Sequence, residues 1–516
     1  MKRIILFAIA AFAACYTYAQ EPADALRLSW TVPSGTARQQ AIGGAMGSLG
    51  GDITALFVNP AGLGFYKTGD AVITPSYKWS TTKGTFLDRT EKSTDGKFDM
   101  GATGFVLAGP ANKRNNSIAF SLGFNTTANY RSDVLYRGIN HQSSYSQKFL
   151  EEVGTIKDPN IVSGSYPFGS SLAFNTYWID TVSGGSSGNY QFQSRSLGLL
   201  STGLIQEKQV SHRGGIYEGS LGLAVNKNDK FFFGGALGLP FMYYSRDSRF
   251  TEADATTDTS NKFDYAEFRE NLTTKGMGIN LKFGVIYKPQ EYWRLGLAFH
   301  SPTLFSLTDT YEYQVTTNTE NYKGTLTDYS TNYNDQHKAN QFKYLFVTPY
   351  KLIGSISYVL RETQDVRRQK GFITADVEYV NYKVSSYMTD NSATDQPNNQ
   401  QNKDYLKSLN KTIDNVATGA FNFRVGGELK FTTLMFRAGA AYYGNPYKPS
   451  FGGKGDRLDL SGGLGYRNKG FFIDLTYVHS SKTDVDAPYR LQNSSYPIAT
   501  TKAVTGNILL TVGSKF

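Results

Sequence analysis

The chain has 516 residues, a formal net charge of +10, a single cysteine, and 52 glycines, 35 tyrosines and 34 phenylalanines. The charge is spread along the chain without a basic cluster, which excludes nucleic acid as a partner. One cysteine, Cys15, excludes disulfides as a source of stability. A chain of this length suits two or three ordinary domains or one large barrel, and the load of glycine and aromatic residues favours the barrel.

Lys2 and Arg3, the apolar run Ile4–Ala14 and the small residues of Thr17-Tyr18-Ala19 predict a secretory signal peptide over residues 1–19. The run is too short for a membrane anchor. A lipoprotein cut before Cys15 would need a better approach than Phe12-Ala13-Ala14.

Residues 20–69 read as a compact plug, or hatch. Ile42, Met46, Leu49, Ile53 and Leu56 recur at three- to four-residue spacing, which predicts one helical stripe. Gly43, Gly44, Gly47, Gly50 and Gly51 interrupt it, each costing about 1 kcal/mol in a helix interior, so the expectation is short helical turns packed inside something else. Asn59-Pro60-Ala61-Gly62 forces a turn, because Pro fixes its own φ and pushes the residue before it out of the helical region. That turn is expected to make few core contacts. It aims the strip from Phe57 to Phe65 at the lumen, so Phe57, Leu63 and Phe65 become candidate ligand contacts. The whole segment is expected in the periplasmic half of a barrel.

From residue 70 onward the pattern alternates with a period of two. Ile279, Leu281, Phe283, Val285 and Tyr287 face one way, against Asn280, Lys282 and Gly284. Trp293, Leu295, Leu297 and Phe299 oppose Arg294, Gly296, Ala298 and His300, and Ile373, Ala375, Val377 and Tyr379 oppose Thr374, Asp376 and Glu378. No later segment is apolar enough for a membrane helix, so a chain like this crosses a bilayer by strands. Short connections fall near 110–117, 226–230, 288–292, 361–371, 430–433 and 467–470. Long polar ones fall near 80–97, 130–212, 246–273, 309–341, 388–415, 444–455 and 480–500. Six turns and seven loops predict an all-β membrane protein, a 14-stranded antiparallel transmembrane barrel over residues 70–516 with both ends periplasmic. The largest loop, 130–212, is rich in Ser, Gly and Asn. It is expected to be extracellular and mostly irregular, with at most a short helix around Gln147–Val153. Phe516 ends an amphipathic last strand, as suits a barrel handed to outer-membrane assembly machinery.

Gly43-Gly44-Ala45, Asp52 and Asn59-Pro60-Ala61-Gly62 form a recognisable set with Tyr287-Lys288-Pro289, Arg294-Leu295-Gly296-Leu297 and His300-Ser301-Pro302-Thr303. Asp376-Val377-Glu378-Tyr379-Val380-Asn381-Tyr382, Arg424-Val425-Gly426-Gly427-Glu428 and Arg437-Ala438-Gly439 complete it. Through these the chain resembles the FadL/TodX family of outer-membrane transporters for long-chain fatty acids and other hydrophobic compounds. The resemblance implies a barrel in the outer membrane of a Gram-negative bacterium, closed by an N-terminal hatch. It implies gating at Asn59, Pro60, Ala61 and Gly62, and hatch packing through Gly43, Gly44 and Asp52. It also implies passive uptake, with exit sideways through the wall at a kinked third strand, here Ser117–Tyr130 with Gly123 and Asn125 as the kink. The implied partners are outer-membrane lipid, a hydrophobic small molecule and the barrel-assembly machinery, with the protein acting as a monomer. No cofactor is implied. A second reading within this fold is a docking or shuttle component for protein secretion, which the 130–212 insert keeps open.

Enzyme chemistry finds little support. Gly184-Gly185-Ser186-Ser187-Gly188 matches the nucleophile-elbow pattern but has no strand before it and no helix after it. His141, His212, His300, His337 and His479 are isolated, without metal-type spacing, so no metal site is expected. Asp376 and Glu378, near Arg424 and Glu428, read as lumen charges that fill a barrel interior. An outer-membrane lipase fails for want of a Ser–His pair.

Overall fold

Period-two alternation dictates a closed sheet here, because each strand has one apolar face and no strand edge can be left open in lipid. The computed structural model describes residues 22–30, 34–110, 116–182, 190–360, 370–390, 400–449 and 454–516. The expected signal peptide and the Gly184–Gly188 motif lie outside the described residues. Fourteen antiparallel wall strands close into a transmembrane barrel. They are β1 (Asp70–Ile73, continued by Pro75–Phe86), β2 (Arg89–Met100, Thr103–Pro110) and β3 (Ser117–Asn129, Ser132–Asn140). Next come β4 (Leu204–Lys227), β5 (Phe231–Asp254), β6 (Tyr265–Tyr287) and β7 (Trp293–His300, Leu304–Asn318). β8 (Asn340–Val347, Lys351–Leu360), β9 (Gly371–Asn381, Ser386–Thr389), β10 (Gly419–Phe431) and β11 (Leu434–Tyr443) follow. β12 (Arg457–Asn468), β13 (Phe471–Asp486) and β14 (Ala499–Lys515) complete the wall. β14 pairs with β1, with Ile73 opposite Val512 and Tyr77 opposite Ile508. Gly69 and Phe516 exchange two backbone hydrogen bonds at the junction, Gly69 N to Phe516 O at 2.8 Å and Phe516 N to Gly69 O at 3.1 Å.

The expected outward residues do face outward. Ile279, Leu281, Phe283, Leu295, Leu297 and Ile373 are exposed on the outer wall, while Lys282, Arg294, Asp376 and Glu378 are buried on the inner one. On β5 the exposed apolar positions stop at Tyr243, yet the strand continues to Asp254. A crossing needs only about 9–11 residues. The upper halves of β3 to β7 therefore stand clear of the membrane.

Several expected loops are strand instead. The 80–97 stretch is a hairpin turned by Leu87 and Asp88 alone, both at positive φ (47° and 64°), the backbone of a tight two-residue turn. Strands likewise run through most of 246–273, leaving 255–264 as the loop. The 388–415 stretch holds a helix, Gln400–Val416. Its Leu406, Leu409, Ile413 and Val416 recur at three- to four-residue spacing and are buried.

The largest correction concerns 130–212. Its described residues form an ordered cap: strand to Asn140, helices Ser146–Val153, Pro159–Ser165 and Ser170–Asn175, and a small hairpin, Ile179–Thr181 with Phe192–Ser194. Trp178 and Phe149 are fully buried in an aromatic core with Tyr145, Phe250 and Phe268, and Tyr489 of a distant loop joins them. A few large rings supply apolar area that the Ser, Gly and Asn content of this stretch does not reveal. Beneath them, the buried Glu252 carboxylate accepts from Tyr145 N (3.0 Å), Gln206 Nε2 (2.7 Å) and Ser144 Oγ, with Tyr489 as the neighbouring titratable group. Burial holds the Glu252 carboxyl above its usual range.

Candidate functional site

Residues 34–69 fill the barrel core. The apolar run expected as one helical stripe is divided between two clusters. Ile42, Met46 and Leu49 pack against Ile353 and Phe372 of the wall, whereas Ile53 and Leu56 pack with Phe57, Leu63 and Val106. Only Ala37–Ala41 and Ala55–Val58 are α-helical, and Pro60–Phe65 is a 3₁₀ turn. The glycines explain why: Gly43 and Gly44 have φ of 67° and 81°, where a side chain is strained.

The wall receives this backbone at glycines of its own. A Cβ on Gly284 would overlap Asn59 Oδ1, one on Gly234 would overlap the Pro60 carbonyl, and ones on Gly426 and Gly439 would overlap Ile42. Asn59 is extended (φ −143°, ψ 100°), as a residue before proline must be. Its Nδ2 donates to Gly47 O at 2.6 Å and its Oδ1 accepts from Ala61 N at 3.1 Å. Asn59, Pro60, Ala61 and Gly62 are all buried, so the turn does not have few core contacts; it is wedged between wall and hatch. Asp52 caps locally, accepting from Thr36 Oγ1 (2.8 Å) and Thr54 N (2.9 Å). Asp376 is a hatch anchor that sequence reasoning treated as lumen filler: its Oδ2 accepts from Met46 N (2.9 Å) and Gly47 N (3.0 Å). Arg38 reaches Glu428, which also pairs with Arg437 at 2.6 Å.

The start of the hatch lies elsewhere. Helix Pro22–Ser29 rises into the outer half of the lumen, not the periplasmic half, where Leu26 and Leu28 are buried with Tyr244, Tyr344, Tyr387 and the Gln400–Val416 helix. Two cavities adjoin it. One, of about 90 Å³, is lined by Leu28, Phe57, Ile216, Phe305 and charged groups paired within the wall, among them Glu218 with Lys282 and Glu378 with Arg424. The other, of about 450 Å³, runs from Leu26 and Trp30 to Asp99, Asn129, Tyr130 and Arg131 at the wall.

That second cavity ends at a seam. The β2–β3 ladder stops at Thr103 opposite Phe124. Above it, β2 pairs only with β1 and β3 only with β4. The upper part of β3 leaves the wall and crosses the lumen side of the β1–β2 hairpin, with Leu135 and Tyr136 over Gly84. The β3 register shifts between Thr126 and Ala128, so the irregularity sits at Thr127 and not at Gly123, which pairs regularly with Gly104. Side chains bridge the gap: Arg131 is bidentate on Asp95 (2.6 and 2.8 Å), and Asn129 Nδ2 donates to Asp99 at 2.6 Å. The hatch stitches it as well. Ser34 N donates to Thr126 O (2.9 Å), Ala102 N donates to Gly35 O (3.1 Å), and Asn125 Nδ2 donates to Ser34 O (2.8 Å).

Of the candidate ligand contacts, Phe57 lines the first cavity. Leu63 is packed inside the hatch, and Phe65 stacks on Phe232 at 4.0 Å beneath Arg294, away from both cavities. Phe57 and Phe65, near each other in sequence, are thus split between cavity and floor, a difference that period alone does not carry.

No protein-family model matches the chain, and no curated protein matches it in sequence. Solved structures do match. A FadL homologue of Pseudomonas aeruginosa aligns over 95% of this chain and 100% of its own, with 14% identity and a TM-score of 0.55. The toluene transporter TodX of P. putida aligns over 94% of this chain and 99% of its own, with 12% identity and a TM-score of 0.49. The chain has the fold of the FadL homologue, a 14-stranded barrel with its N-terminal segment inside.

Proposed function

We propose that this chain is a FadL-like transport protein of the Gram-negative outer membrane, acting as a monomer in the passive uptake of hydrophobic compounds such as long-chain fatty acids. The observation that carries the reading is the second cavity, which leads from the hatch helix to a seam without a backbone ladder that opens beside the outward-facing Phe98 and Phe124. A route that leaves sideways suits an apolar cargo, since each CH₂ returned to lipid gains about 0.8 kcal/mol that a watery exit would forfeit. The seated turn at Asn59-Pro60-Ala61-Gly62 acts as the fixed base of the hatch. The moving part is helix Pro22–Ser29, which occupies the outer lumen, together with Ser34 and Gly35, which stitch the seam. No catalytic step is part of this reading.

The test uses cysteines in place of Asp95 and Arg131, joined by a short bis-maleimide. Uptake of a labelled long-chain fatty acid should exceed that of cells lacking the chain, and the staple should abolish the excess. Uptake no greater than in cells lacking the chain would sink the transport reading. Equal uptake with and without the staple would sink the lateral route alone.

A further inference from the structure

On the outer wall, above the aromatic band, three lysines fall in one row across three strands. Lys83 of β1 lies opposite Lys92 of β2 on one side and Lys502 of β14 on the other. All three are exposed. Like charges directly opposite on neighbouring strands repel. Among the described residues the flanking outward positions carry no opposite charge: they are Thr81, Thr85, Thr90, Thr94, Thr500 and Val504, and the next strand presents Thr483 to Lys502. The nearby Asp484 faces inward to Lys482, at 2.9 Å. Edge protection would explain Lys92, which borders the seam, but not Lys83 or Lys502, which are paired on both sides.

The height of the row is set by the strand. Lys83 is four residues beyond Trp79, which with Tyr77, Phe98 and Tyr477 forms the aromatic rim. At about 3.3 Å per residue and a tilt near 40°, that is roughly 10 Å above the rim. Aromatic belts sit at the headgroup boundary, so the lysine amines reach the outer part of the headgroup layer. Two strand spacings of about 4.8 Å make the row about 10 Å wide, enough for one headgroup with more than one phosphate.

We propose that Lys83, Lys92 and Lys502 form a binding site for the phosphorylated headgroup of an outer-leaflet glycolipid, docked on the wall beside the seam. The proposal rests on the outer-membrane placement argued above. Strand register holds the three amines together before the lipid arrives, so the headgroup meets a preformed charge cluster.

The test is lipid retention by the full chain in phosphatidylcholine nanodiscs doped with bisphosphorylated lipid A, read by native mass spectrometry. Dephosphorylated lipid A, free inorganic phosphate, and the K83Q/K92Q/K502Q and K83R/K92R/K502R variants supply the other arms. The wild type should retain the bisphosphorylated lipid at least about ten-fold better than the Gln variant. The Arg variant should match the wild type, the dephosphorylated lipid should be lost, and millimolar phosphate should not compete. Equal retention by wild type and Gln variant, or displacement by free phosphate, overturns the site. Failure of the chain to enter bilayers would instead overturn the membrane placement.

Discussion

The hatch and the cap block the two ends of one barrel by opposite means. The hatch is held by backbone: glycines of the wall accept it, and Asn59 and Asp376 fix it through main-chain hydrogen bonds. The cap is held by side chains, with rings of Trp178, Phe149, Tyr145 and Phe268 packed over a hydroxyl cluster. A backbone seat tolerates no added atom, whereas an aromatic core tolerates change in proportion to the volume lost. The hatch is therefore a part of the barrel, and the cap a lid that rests on it.

The sharpest way to break this contrast is Gly284→Val. Its Cβ would meet Asn59 Oδ1 and the branched side chain would extend the overlap. The expected outcome is an unseated hatch, seen as a several-fold rise in planar-bilayer conductance, together with lowered yield of the heat-resistant barrel band. Unchanged conductance would mean the hatch shifts to accommodate the side chain. A second test removes the ring at the centre of the cap. Trp178→Ala should cost about 3–5 kcal/mol of local stability, exposing residues 141–203 to added protease on intact cells. The barrel band should persist. If the band is lost too, the cap is not a separable unit.

The smallest effect sharpens the comparison by pH. Burial raises the Glu252 carboxyl, so the folded cap favours the protonated form. The stability this adds is fully present below the ordinary carboxylate pKa and fades as pH rises through the elevated folded value. Hydrogen exchange at Ser144–Ser146 should quicken from pH 4 to pH 8 beyond the intrinsic rate increase. Glu252→Gln should remove that excess. A pH profile unchanged in the Gln variant would place the sensitivity elsewhere.

Much of the barrel was legible because its signals are local and periodic. Outward Leu281 and inward Lys282 follow from alternation, and short turns such as 226–230 from composition. The Leu87–Asp88 turn was missed because Ser80–Lys97 is polar on both faces, as a hairpin is when it rises beyond the apolar band with polar surroundings outside and a lumen inside. The cap was missed because its core gathers rings from segments more than 100 residues apart in the chain, such as Phe149 of a helix and Phe268 of a strand, which no window joins. Within the site, Asn59 and Gly43 were visible as backbone punctuation. The seam was not: Asp95, Asp99, Asn129 and Arg131 look like ordinary polar strand residues until the ladder between their strands ends.

The junction at Gly69 and Phe516 carries a consequence for assembly. The hatch enters the barrel beside the β1–β14 closure, and its seats lie on β5, β6, β10 and β11, on both halves of the ring. A ring closed around empty space would have to admit a folded wedge past its own last hydrogen bonds. It is simpler in time for the hatch to be in place first and for the two halves to close on it. On that order the hatch is a mandrel, and the barrel takes its girth from what it is wrapped around.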